Sequence, residues 1–237
     1  MARFLLFVIL ACCTGLWAAG VPDTVMVSAP GLQNKNPVGV WWPAAKAKSR
    51  VIVWFHGGMT SGNCQKGLVA GEGFSKLFPD VVVVSASACR ENHWASENMM
   101  AAVDAALDSV AARRKSPVEE VSLVGVSDGS LGVIVYSMNG RRRVKDRLLV
   151  STFGKLLGDA PSVAASPKMR SGRWRFLQGG KDRLFPSHEA LPWIQDFCRN
   201  VGADCDVRYD PEGEHDWSYW EKNALRWIKD AIFMKTP

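Results

Sequence analysis

Histidine is scarce in this chain. There are four, His56, His93, His188 and His215, in 237 residues, so any chemistry that needs an imidazole must draw on one of four positions. Long apolar runs are also missing. Phe4 to Ala11 is too short to cross a bilayer, and no later segment could do so, which excludes a transmembrane span. Cysteine and histidine do not recur at the spacing of a zinc site, so no metal is expected. Lysine and arginine form no stripe interleaved with aromatics. Arg141-Arg142-Arg143 is the one basic cluster and reads as a solvated turn after a helix, so no nucleic-acid partner is expected. Internal repeats and low-complexity tracts are absent.

What is present suits one globular domain with a full core: 47% hydrophobic and 22% charged residues. Residues 1–20 stand apart. Arg3 is their only charge, the apolar run follows it, and Ala18-Ala19-Gly20 leads into Val21-Pro22. This pattern reads as a signal peptide cleaved after Gly20, leaving a mature domain of residues 21–237 that is secreted or periplasmic. Ile9-Leu10-Ala11-Cys12 loosely resembles a bacterial lipoprotein box, but Leu10 fits that pattern poorly, so soluble export is expected over a lipid anchor at Cys12. Loss of Arg3 lowers the formal charge from +6 to about +5, mildly basic. Of six cysteines, Cys12 and Cys13 lie in the signal. Cys64, Cys89, Cys198 and Cys205 remain, and an even count in an exported chain points to disulfides. Three pairings are open. Cys64 with Cys89 and Cys198 with Cys205 is favoured, because each couple flanks a helix and its neighbouring strand.

Apolar runs at Val51–Phe55, Val81–Val84, Val118–Val124, Leu148–Val150 and Trp174–Leu177 read as strands covered on both faces, with Asp206–Tyr209 a last strand. Thr24–Ser28 and Val38–Trp42 read as an antiparallel hairpin at a sheet edge. Helical patterns fall between the strands, at Leu68–Leu77, Glu97–Arg114, Ser130–Met138, His188–Val201 and Trp217–Phe233. Such alternation predicts an α/β fold: a mostly parallel central sheet with helices on both faces. The stretch 153–173, rich in small residues, reads as a surface excursion too short to form a large lid domain.

The chemistry centres on Gly125-Val126-Ser127-Asp128-Gly129, a Gly-x-Ser-x-Gly pattern between a strand and a helix. In that context the turn lifts the serine hydroxyl clear of the sheet and makes it a candidate nucleophile. A serine needs a base, and the base needs an orienting carboxylate. His215, in Gly213-Glu214-His215-Asp216-Trp217 between the last strand and the last helix, is the expected base, with His188 the alternative. Asp182, on the loop after Trp174–Leu177, is the expected acid, because ligand chemistry in open α/β sheets gathers at the carboxyl ends of strands. Asp159 and Asp204 are weaker candidates, and Asp216 suits a helix cap. Donors for an oxyanion are expected from the backbone N–H of Asp128 and from Gly58 or Met59 in His56-Gly57-Gly58-Met59. His56 is expected to hold that loop. Trp94 and Trp217, near the catalytic edge, are candidates to stack on a substrate ring, against the alternative that they are core.

His56-Gly57-Gly58, Gly125-Val126-Ser127-Asp128-Gly129, Gly180-x-Asp182 and Gly213-x-His215-Asp216-Trp217 occur in one order, each at a strand's carboxyl end. In this the chain resembles the α/β-hydrolase superfamily over nearly all of its mature length. Within it the chain is similar to compact secreted esterases: feruloyl and acetylxylan esterases, polyhydroxybutyrate depolymerases and the esterase-D-like group. The resemblance implies an exported serine esterase that needs no cofactor and acts on a small-molecule or polysaccharide-linked ester. The alternatives are a peptidase, thioesterase or lipase on the same scaffold, or a binding protein that has lost catalysis. Two departures mark this chain. Ser130 stands where such families often have Gly or Ala, and the charged Asp128 follows the nucleophile.

Overall fold

Every residue of Val51-Ile52-Val53-Trp54-Phe55 is buried, which a strand achieves only with layers packed on both of its faces. The computed structural model describes residues 23–233 except 33, 44–49, 59–61 and 91. The signal peptide expected at residues 1–20, the less favoured lipid-anchor residue Cys12 and the oxyanion candidate Met59 lie outside the described residues. Among the described residues eight strands are formed: β1 (Asp23–Val27), β2 (Asn36–Trp41), β3 (Val51–Phe55), β4 (Val82–Ala86), β5 (Glu120–Val126), β6 (Arg143–Val150), β7 (Arg173–Gly179) and β8 (Asp204–Asp210). The helices are α1 (Lys66–Leu77), α2 (Glu97–Arg114), α3 (Asp128–Asn139), α4 (Ala160–Ala164), α5 (Ser187–Val201) and α6 (Trp217–Phe233).

The strands make one sheet in the order β1-β2-β4-β3-β5-β6-β7-β8. β1 and β2 form the expected antiparallel hairpin and β2 pairs antiparallel with β4, whereas every pairing from β4 onward is parallel. Alternation along β3 sorts its side chains. Val51, Val53 and Phe55 join a core that holds Met99 and Val103 of α2, Val133 of α3 and Trp193 of α5. Ile52 and Trp54 join the opposite core, with Phe74 of α1 and Trp220 and Ile228 of α6. The stretch 153–173 carries two 3₁₀ turns and α4, and there the Trp193 indole N–H donates to Gly158 O. Among the described residues no helix is long and apolar enough to cross a membrane. The basic cluster is paired: Arg141 and Arg142 meet Asp108, and Arg143 meets Glu120.

Candidate active site

β5 ends at Val126 and α3 begins at Asp128, so Ser127 alone makes the turn between them. It adopts φ 55° and ψ −121°, a conformation that a residue with a side chain rarely holds and that the surroundings must impose. The flanking glycines are required by close approach. A Cβ on Gly125 would lie 2.3 Å from Gly129 O, and one on Gly129 would lie 2.1 Å from Phe55 O. Ser130 fastens the elbow to β6, its hydroxyl 2.9 Å from Val150 O, while the Ser127 N–H donates to the same carbonyl at 2.9 Å. That bond is a physical reason for a serine at this position.

The structure brings Ser127, His215 and Asp182 into one hydrogen-bonded line. His215 Nε2 is 2.8 Å from Ser127 Oγ, and His215 Nδ1 is 2.9 Å from both oxygens of Asp182. A carboxylate only accepts, so Nδ1 carries the proton and the Nε2 lone pair faces the serine hydroxyl. Asp182 is fully buried at its side chain. Burial works to raise its pKa, but the hydrogen bonds from His215 and from the Phe185 N–H outweigh it and hold the carboxyl below the usual carboxylate range. The backbone N–H groups of Leu184 and Phe185 donate to Asp182 Oδ1 at 3.0 and 2.8 Å, so the loop after β7 is wrapped around its own acid. That loop is zipped to the one after β8: Gly180 N–H donates to Asp210 O and Lys181 N–H to Gly213 O. A Cβ on Gly179 would stand 2.2 Å from Gly213 O, so glycine is what lets the two loops meet.

Loop residues after β3 lie against the elbow from the other side. A Cβ on Gly57 would be 3.1 Å from Val126 O, and Gly58 holds φ +70°. Both His56 nitrogens are assigned by their partners: the Ala88 N–H donates to Nε2 at 3.0 Å, and Nδ1–H donates to Gly57 O at 3.0 Å. Burial pushes the His56 pKa down from 6.5 to about 4, so it is a neutral fixture of this loop. Asp128, which opens α3, presents its backbone N–H at the helix N-terminus. Its carboxylate turns into the protein, 2.9 Å from His93 Nε2, and its Oδ2 is buried without a hydrogen bond. His93 Nδ1 accepts the Ala95 N–H, so its Nε2 is the protonated atom and donates to Asp128. The Lys66 ammonium sits over Gly58, 2.3 Å from where a Cβ would be.

The other candidates are placed elsewhere. The His188 side chain is 79% exposed, Asp159 caps α4 through the Ser162 N–H, and Asp204 pairs with Arg175. One expectation is corrected. Trp94 does not face substrate: it is fully buried, edge-on to Phe55, with its indole N–H on His56 O. Trp217 is partly buried, with one side against Trp54 and Phe74. The cysteines pair as Cys64–Cys89 and Cys198–Cys205. Among the described residues no group of three or more His, Cys, Asp or Glu side chains could hold a metal ion.

Several residues around the serine carried no sequence signal. The Ser151 hydroxyl donates to His215 O at 3.0 Å and adds to the lowering of Asp182. Gln178 Nε2 donates to Phe185 O at 2.9 Å beneath the acid. Phe153 stacks on Phe185, and Phe185 meets the His215 ring edge-on. Ser151 and Phe153 follow β6, and Gln178 and Phe185 belong to β7 and the loop after it, so only the folded sheet brings them to Ser127 and His215.

No family model matches this sequence, and no curated protein matches it. Solved structures do. An S-formylglutathione hydrolase from Agrobacterium tumefaciens aligns with a TM-score of 0.64 at 15% identity, over 89% of this chain and 95% of the other. A cold-adapted esterase from an Arctic intertidal metagenomic library gives 0.62 at 17% identity, over 89% and 93%. An alpha-beta serine hydrolase homologue from Coxiella burnetii gives 0.61 at 13% identity, over 90% and 96%. With the sheet order and the elbow described above, these likenesses show that the chain has the α/β-hydrolase fold.

Proposed function

We propose that the protein is an exported serine esterase, with residues 1–20 its signal peptide and residues 21–237 one catalytic domain. The observation that carries this reading is the line Ser127 Oγ, His215 Nε2, His215 Nδ1, Asp182, each link at 2.8–2.9 Å. Ser127 attacks the ester carbonyl while His215 takes its proton, and Asp182 holds the imidazole tautomer and stabilises the cation that forms. The carbonyl oxygen becomes an anion held by the N–H groups of Asp128 and of Gly58 or Met59. His215 then gives its proton to the departing alcohol, leaving an acyl-Ser127. Water, deprotonated by His215, releases the acid and restores the serine. Each step uses groups of this chain and no cofactor. Two disulfides support an oxidising destination outside the cytoplasm.

A fluorophosphonate probe tests the reading directly. The protein should label, and Ser127→Ala should abolish labelling. Ser127→Ala or His215→Ala should lower ester turnover by about 10⁴-fold or more. A folded protein that neither labels nor cleaves p-nitrophenyl acetate would refute the esterase assignment.

A further inference from the structure

The two flanks of Ser127 differ in chemistry. Towards β3 and β4 the groups beside the elbow are polar: Asp128 with His93 upon it, and the Lys66 ammonium over Gly58. Towards β6 and β7 they are aromatic, with the Lys155 ammonium 5.8 Å from the centre of the Phe153 ring. Phe153 follows β6 and Phe185 ends the acid loop after β7. Their rings stack with centroids 5.2 Å apart and planes 17° from parallel. Phe185 in turn meets the His215 ring at 5.0 Å and 77°. Both phenylalanines are only partly buried. Each of the two loops also holds a leucine out in solvent, Leu156 at 64% and Leu184 at 69% exposure. The two loops that meet through this ring pair beside His215 thus carry four apolar side chains that stay partly or largely exposed, although Phe153 also packs against the core.

We propose that this aromatic pair is the subsite for the leaving alcohol, and that the enzyme prefers esters whose alcohol part is an apolar ring. The inference rests on the serine-esterase reading and deepens it. His215 must return its proton to the leaving oxygen, so that oxygen lies within hydrogen-bond reach of Nε2. The carbonyl oxygen points the other way, to the Asp128 N–H and the loop after β3. The alcohol part is thereby directed to the flank that supplies His215, and the ring in contact with that imidazole is Phe185, backed by Phe153. A ring lying there gains edge or offset-stacking contacts besides buried area. A small alcohol leaves the phenyl faces wet, and a strongly hydrated one sheds water against them without replacing its hydrogen bonds.

The test compares kcat/KM for benzyl acetate and ethyl acetate. The acyl group is common and the two alcohols are of similar acidity, so the ratio reports contact with the alcohol rather than leaving ability. The parent protein should favour the benzyl ester about tenfold or more, the range expected from burying one ring. Phe153→Ala and Phe185→Ala should each reduce that ratio several-fold. Phe153 makes no ring contact with His215, which separates loss of the alcohol contact from disturbance of the base. Phe185→Leu keeps most of the volume and takes the place of Phe185→Ala if the latter does not fold. A role confined to packing would lower both substrates equally and leave the ratio alone. A parent ratio near one, or a ratio untouched in both alanine variants, overturns the proposal. A parent protein that cleaves neither ester and does not label with a fluorophosphonate instead overturns the esterase reading, and this one with it.

Discussion

Asp128 is a carboxylate kept from water one position after the nucleophile. His93 Nε2–H satisfies one oxygen, while Oδ2 has no partner, and burial pushes the pKa up against the pull of His93 and Lys66. A negative charge here opposes the oxyanion proposed to form at the neighbouring N–H. An asparagine keeps an oxygen for His93 and removes the charge. Asp128→Asn should therefore be more stable by about 1 kcal/mol in urea unfolding and turn over neutral esters several-fold faster. A slower, less stable variant would show that the carboxylate is needed as such. The sequence announced this residue as a departure but not its partner. His93 lies 35 positions away on the loop after β4, and only the pairing of β4 with β3 and of β3 with β5 brings the two together. Trp94 misled for a related reason. It was placed on the loop after β4, but position along the chain does not say which way an indole points. Trp94 points inward because its N–H is needed on His56 O.

At the scale of elements, strands of unbroken β-branched residues were legible, since burial on both faces leaves no polar alternation to confuse the reading. β6 was read only as Leu148–Val150 yet begins at Arg143, because Asp146 and Arg147 are buried in it. Arg147 is tolerated there because Ser137 Oγ and Ser171 O accept its hydrogen bonds and the Trp174 ring lies 4.3 Å from its guanidinium. No pattern of apolar residues reveals such an arrangement. The cysteine pairs join elements unequally. Cys64–Cys89 spans 25 residues and ties the loop of Gly58 to the loop of His93. Cys198–Cys205 spans 7 and ties the end of α5 to β8. On the loop-entropy account, removing the first should cost about 3.5 kcal/mol and the second about 2.5. Paired Cys→Ser variants compared by thermal melting check this order. Only loss of Cys64–Cys89 should also lower kcat, because of the two bridges it alone holds a loop of the proposed oxyanion site.

For the molecule as a whole, stability should fall in mild acid. His56 titrates near 6.5 when unfolded and near 4 when folded. Between those values the unfolded chain binds the extra proton, so stability that is complete above about pH 6.5 drains away as the pH falls towards 4, about 3 kcal/mol in all. Asp182 has the same sign in a more acid range, since its folded pKa lies below its ordinary value. Urea unfolding at pH 7.5 and 4.5 measures the loss, and His56→Gln should flatten it. A parent protein equally stable at both values would refute the assignment of His56 as a neutral, buried ring. The sheet also puts the parts of the proposed triad far apart in time. Ser127 precedes His215 by 88 residues. A chain made at 5–20 residues per second carries its serine for roughly 4–18 seconds before its base exists. Throughout synthesis the hydroxyl is an ordinary alcohol, and reactivity arrives only when β8 and α6 dock, so a growing chain is silent towards every ester it passes.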